Sequence, residues 1–255
     1  TTFHEVSLKQ RPELYALREG KRTVNQLCWS HPDNPKLVAD HLVRTVKKFK
    51  YDINAYSLSV HDNEQYCQCP KCLDAIRKGG SYSRLYFQFA DAVAREIKKQ
   101  HPGARVGSLA YLAYARLPGI ELKYLDWINY CPWSRCFSHK HHQCQPNLNS
   151  FAEAEKWCRT GIDVSIYGYF FDSLSPAVAL PWGNLIKDEV TAYRKMGVKR
   201  LAPELMLASP KNALPELQDS VTYRLSIYLY LQLMYQPELT VKEIIQDWCG
   251  TAYGK

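Results

Sequence analysis

The sequence predicts an α/β protein built from about six β/α units, and three observations carry that prediction. Strand-like and helix-like stretches alternate from end to end of the 255 residues, and two helical stretches close the chain. Units in that series give a parallel sheet with right-handed crossovers, either a (β/α)8 TIM-type barrel or a doubly wound sheet. No GxGxxG or P-loop stands at a strand-to-helix turn, which weakens the nucleotide-binding doubly wound option. The length suits one domain only in a large architecture such as an α/β barrel. A barrel reading makes residues 1–255 a single domain that lacks its first strands. Phe3-His4-Glu5 then ends an earlier strand, and the chain, opening Thr1-Thr2-Phe3 without Met, is a piece of a longer protein.

The first strand expected is Val24–Ser30, leading into a helix over Lys36–Phe49 with Val38, Leu42, Val46 and Phe49 on one face. Ile53–His61 is the second strand, with turn chemistry after it. A helix over Ser83–Gln100 buries Leu85, Phe89, Val93 and Ile97 and stops at His101-Pro102-Gly103. Ala104–Tyr111 and Leu125–Tyr130 follow as strands. Ser150 with Glu153 three residues on has the form of a capping box, predicting a helix from there to Arg159. Asp163–Phe170 is an aromatic-rich strand, 185–196 a helix ended by Gly197, Val198–Leu207 a strand, and 220–235 and 240–249 are helices.

Composition narrows the function classes. With 46% hydrophobic residues the chain is too apolar for disorder. No run approaches the roughly 20 apolar residues of a membrane span, and no signal peptide opens the chain. The net charge of +8 collects partly in Lys47-Lys48-Phe49-Lys50 and Lys98-Lys99, at helix ends where cations complement the dipole. Zinc-mediated nucleic-acid binding is a third function class, and the lack of a clustered basic stripe argues against it.

Barrel enzymes carry their chemistry at the C-terminal ends of strands. Those ends hold Cys28-Trp29-Ser30-His31, His61-Asp62-Asn63-Glu64, Tyr111 and Tyr114, Pro132-Trp133-Ser134-Arg135, Tyr169 through Asp172, and Glu204. Carboxylates combined with Trp and Tyr suit glycoside hydrolysis, which needs one acid for the leaving oxygen and a second carboxyl to support charge. Asp62-Asn63-Glu64 reads equally as a turn and helix cap. Glu204 within the apolar strand RLAPELML is harder to explain structurally, since Glu is seldom buried unpaired.

Nine cysteines include two knots, Cys67-Cys69-Cys72 and Cys131-Cys136-Cys144. The first can give three thiolates to a structural zinc, with His139, His141, His142 or Cys144 as a fourth ligand; disulfides joining the knots are the competing reading. Both readings pin the 61–72 loop against 131–144, and no cofactor is required for catalysis.

The run Pro12-Glu13-Leu14-Tyr15-Ala16-Leu17, then Gly20-Lys21-Arg22, Gln26-Leu27-Cys28-Trp29-Ser30 and SLSVHDNEQYCQCPKC resembles a bacterial family first labelled as of unknown function, glycoside hydrolase family 163. Ser83, Phe87 through Ala92, Leu109-Ala110-Tyr111, Cys136-Phe137-Ser138-His139, Leu233 to Pro237 and Tyr253-Gly254 extend the likeness. It implies a barrel, usually exported to the periplasm or cell surface, that cleaves β-linked N-acetylglucosamine in complex N-glycans. The route is retaining and assisted by the substrate's acetamide. Asp62 and Asn63 match the family's Asp-Asn pair; Asp62 would polarise the acetamide, with Glu204 or Glu64 as general acid. His4, His61, Asn63, Tyr111, Arg135, Tyr169, Asp172 and Trp182 would line the sugar subsite. Where the family often has Trp-Asp-Tyr, this chain has Tyr167-Gly168-Tyr169. More distant similarity reaches family 20 hexosaminidases and α-glucuronidases, so an α-glucuronidase-like activity, or a carbohydrate-binding barrel without catalysis, is the alternative.

Overall fold

A computed structural model describes residues 8–169, 182–204 and 221–254, with side chains of the last segment from Arg224 onward. His4, Phe171 and Asp172, and the end of the strand expected at Val198–Leu207, lie outside those residues. The described residues form two compact units that divide after Cys131.

The first unit opens with an antiparallel hairpin, β1 (Tyr15–Arg18) and β2 (Lys21–Leu27). Arg18 faces Lys21 across a two-residue turn in which Glu19 and Gly20 both have positive φ, 49° and 77°. That backbone matches the right-handed twist of a hairpin. The stretch expected to be the first parallel strand therefore pairs with its predecessor instead, because the tight turn brings β1 alongside it.

Helix α1 (Asn34–Val46) follows, burying Ala39 and Val43. It stops short of Phe49, which is 57% exposed rather than part of the apolar face. The side-chain amide of Asn34 donates to the carbonyls of Leu14 and Cys28, both at 2.8 Å, tying the start of α1 to both flanks of the hairpin.

Three parallel strands build the sheet of this unit: β3 (Ala55–Leu58), β4 (Arg105–Ala110) and β5 (Trp127–Tyr130), paired β3 to β4 and β4 to β5. Between β3 and β4 run α2 (Pro70–Gly79) and α3 (Tyr82–Gln100). The expected loop at Cys67–Cys72 is in part the first turn of α2, started by Pro70 and ended by Gly80 at φ 72°. Helix α3 buries the four residues its periodicity predicts, Leu85, Phe89, Val93 and Ile97, together with Tyr86, Phe87, Ala90 and Ala94. Each large apolar side chain so buried contributes roughly 1.5–3 kcal/mol. Gly107 lies against the Trp127 indole on the neighbouring strand, where a Cβ would collide with the ring.

The second unit alternates helices with a parallel pair: α4 (Gln145–Cys158), β6 (Asp163–Gly168), α5 (Gly183–Lys195), β7 (Arg200–Pro203), then α6 (Val221–Tyr235) and α7 (Val241–Tyr253). Helix α4 begins five residues before the expected Ser150 cap, at Cys144-Gln145-Pro146, so Ser150 lies inside it. Proline in the first turn fixes φ for helix entry and outweighs the Ser-x-x-Glu signal. Ile186 and Val190 of α5 pack with Leu229, Tyr230 and Leu233 of α6 and Ile244 of α7. Thr240 caps α7 in a complete capping box with Glu243.

The chain is thus a mixed α/β protein with parallel strands flanked by helices. Of the six strands expected to be parallel, five are so among the described residues, and Val24–Ser30 belongs to the hairpin. No helix among them is long and apolar enough to cross a membrane.

Candidate active-site loop and cysteine cluster

The segment after β3 leaves the C-terminal edge of the first unit's parallel strands, the edge where α/β folds place their ligands. It is not a loose loop. The side-chain amide of Gln26, from β2, donates to the His61 carbonyl at 2.7 Å and to both the carbonyl and side-chain oxygen of Asn63, at 3.2 and 3.0 Å. Asn63 returns a bond to the Asn25 carbonyl at 3.2 Å and accepts from the Gln65 backbone N–H at 3.0 Å. Asn25 and Gln65 also bond side chain to side chain. Gln26 is 3% exposed, so its amide is committed to this segment.

Held on that frame, Asp62 and Glu64 are exposed while Asn63 is half-buried. Tyr66 anchors the far end: its ring packs on Trp29 at 5.1 Å and on Tyr82 at 4.9 Å. Its phenol is pushed up to about 12, mainly by burial and then by the negative charges of Glu64 and Asp62. His61 lines a cavity of about 110 Å³ together with Trp29, His41, Tyr86 and Phe89. Tyr111 is half-buried at the end of β4, edge-on to Tyr114 at 6.5 Å.

Directly beyond this segment the cysteines converge. Cys67, Cys69 and Cys72 meet Cys28, which follows β2, and the four sulfurs lie within 4.8 Å of one another. All four residues are buried. Cys28 is the fourth member that the sequence left to the 139–144 region; it stands 39 positions from Cys67, and only the pairing of the hairpin with the post-β3 segment reveals it. The Leu17 backbone N–H donates to the Cys67 sulfur at 3.3 Å and that of Cys69 at 3.5 Å, while Arg22 Nη1 lies 3.9 Å from it. The Cys28 thiol is held far below the ordinary thiol range by hydrogen bonds from Cys67 and Cys72, which rise in response. Soft sulfurs so grouped fit zinc, and their burial leaves no open position for a substrate, so the cluster suits a structural role. Among the described residues no cysteine pair is bonded in a disulfide.

In the second unit, Glu204 directly follows β7 and its backbone N–H donates to the Gly168 carbonyl at 2.7 Å. The Glu204 side chain is half-buried. Tyr169, just past β6, is buried with its ring 5.0 Å from Trp133 and 5.2 Å from Tyr167. Trp182 packs against the core of α5 to α7. Arg135 is buried against the Phe137 ring, 4.5 Å from its centre, and forms an ion pair with Glu189 of α5. The strand-end motifs do not single out Glu189, although a carboxylate three residues after Ile186 and next to Val190 falls on the buried face of the helix and is a readable signal. Burial raises its carboxyl to about 7, against the opposing pull of Arg135. A Cβ at Gly168 would stand 3.0 Å from the Tyr230 hydroxyl, so an Asp at this position would have to displace that phenol.

Cys136, His139 and Cys144 form a second, more exposed trio, and His141, His142 and Asp188 a third. His141 Nδ1 is 2.7 Å from the Asp188 carboxylate. Each group is closed by residues of its own unit.

The profile of one family, a domain of unknown function, DUF4838, matches residues 2–255. The chain belongs to the DUF4838 family. No curated protein matches it.

Proposed function

We propose that this DUF4838 chain is the catalytic domain of a retaining glycosidase that cleaves β-linked N-acetylglucosamine in glycans, an exported (β/α)8 TIM-type barrel of which this is a part. The observation that carries the reading is the Asp62-Asn63 turn at the C-terminal edge of β3: a carboxylate presented to solvent on a segment that Gln26 and Tyr66 hold rigid. The likeness to glycoside hydrolase family 163 around residues 57–72 supports it.

The chemistry follows from the substrate. The acetamide oxygen attacks the anomeric carbon as the glycosidic bond breaks, giving an oxazoline-type intermediate. Asp62 accepts the hydrogen bond of the amide N–H and so strengthens that nucleophile, and Asn63 fixes the backbone that carries Asp62. A carboxylic acid, Glu64 on the same segment, gives its proton to the leaving oxygen and then takes one from the water that opens the intermediate. Two inversions at one carbon retain the β configuration.

Turnover of a β-linked N-acetylglucosaminyl aryl glycoside tests the reading. Asp62→Ala should lower kcat by 100-fold or more, on the order expected for loss of an acid–base or charge-stabilising group. Wild-type rates in that variant would refute the role. A second reading, sugar binding without hydrolysis, draws on Gly168, where the Tyr230 hydroxyl stands against the place of the family's Asp. It expects tight binding of N-acetylglucosamine-thiazoline and no turnover.

A further inference from the structure

We propose that Cys28, Cys67, Cys69 and Cys72 form a closed tetrathiolate site for one zinc ion, which clamps the β1–β2 hairpin to the first turn of α2. The proposal stands apart from the hydrolase reading, since metal content is measured without turnover.

Geometry carries the assignment. Zinc in such sites binds sulfur at about 2.3 Å, and a regular tetrahedron with that radius has sulfur–sulfur edges of about 3.8 Å. Cys28 Sγ lies 3.7 Å from both Cys69 Sγ and Cys72 Sγ. The four residues come from two segments, yet all are buried, at 3%, 4%, 6% and 1% exposure, with their sulfurs turned toward one point. A tetrathiolate around a divalent ion carries two net negative charges, and the surroundings meet them. Backbone N–H groups of Leu17 and Cys69 aim at Cys67 Sγ, and the Arg22 guanidinium approaches it. Cys69 is the N-cap of α2 and Cys72 lies in its first turn, at the positive end of the helix dipole. The Ser30 hydroxyl sits 3.1 Å from Cys72 Sγ and 3.4 Å from Cys28 Sγ, an outer-shell partner for two of the ligands.

The position explains what the ion would do. Gln68 donates its backbone N–H to the Leu17 carbonyl at 2.8 Å, and with the Leu17 bond to Cys67 this is a short ladder between hairpin and ligand knuckle. A four-residue strand paired to one partner holds poorly by itself. A metal joining Cys28 to the 67–72 segment closes a loop of about forty residues and fixes the hairpin in place.

The test is metal analysis of the full chain purified under reducing conditions, by mass spectrometry and X-ray absorption at the zinc edge. The expected result is bound zinc with a first shell of four sulfurs at about 2.3 Å, and a loss of one equivalent in Cys28→Ser. Cobalt substitution should give the intense visible bands and near-ultraviolet sulfur charge transfer of a tetrahedral tetrathiolate. Should Cys28→Ser fail to fold, the absorption data and the cobalt spectrum of the unaltered chain still decide. A folded chain whose four thiols all react freely with a thiol reagent, disulfides among them, iron in place of zinc, or a mixed nitrogen–sulfur shell would overturn the assignment.

Discussion

Truncating Glu189 to alanine removes the carboxylate that pairs with the buried Arg135 guanidinium in the second unit. The Arg135 and Glu189 side chains keep only 5% and 3% of their surface exposed. At pH 8, above the carboxyl's raised value of about 7, both are ionised and each compensates the other's loss of water. Removing one partner of such a pair costs about 3–5 kcal/mol. At roughly 4 °C per kcal/mol for a unit of this size, Tm falls by about 12–20 °C. Replacing both, Arg135→Met with Glu189→Leu, keeps the volume and removes both desolvation penalties, so the double variant should melt close to the unaltered protein or above it. Thermal melts of the parent, two singles and the double at pH 8 form a complete cycle, and the coupling should be several kcal/mol. A Glu189→Ala protein that melts within about 2 °C of the parent would refute the reasoning. So would a double variant whose loss equals the sum of the two singles.

Thr240→Ala removes the acceptor of the α7 capping box and should cost about 1 kcal/mol in urea unfolding. An unchanged midpoint there would show that the box adds nothing. Gly107→Ala drives a methyl into the Trp127 ring and should cost roughly 1–3 kcal/mol, with an altered near-ultraviolet signal. An unperturbed signal and midpoint would show that the indole moves aside freely.

Much of the architecture was legible where local signals act alone. Helix α3 buries the residues its 3.6-residue period marks, and Gly197 ends α5 at φ 88°. The sequence is ambiguous where one local signal competes with another or with pairing across the fold. Val24–Ser30 reads as an apolar strand, but nothing in its own residues says that its partner is Tyr15–Arg18. Glu19-Gly20 lacks the Asn-Gly or Asp-Gly signature of a tight hairpin, although it adopts the backbone. Ser150 and Glu153 have capping-box spacing in mid-helix, and Pro146 sets the true start. At the site, Asp62 and Asn63 stood out because polar residues follow an apolar strand. Gln26, which clamps Asn63 and the His61 carbonyl on either side of Asp62, was hidden as an ordinary strand residue. Cys67, Cys69 and Cys72 declared themselves by spacing, whereas Cys28 joins them only through the fold.

The most direct test of the proposed chemistry is a crystal structure of the chain soaked with N-acetylglucosamine-thiazoline, which mimics the cyclised intermediate. The account places the thiazoline nitrogen within hydrogen-bond distance of an Asp62 carboxylate oxygen. A ligand bound with that nitrogen facing any other group, and Asp62 left to solvent, would contradict it.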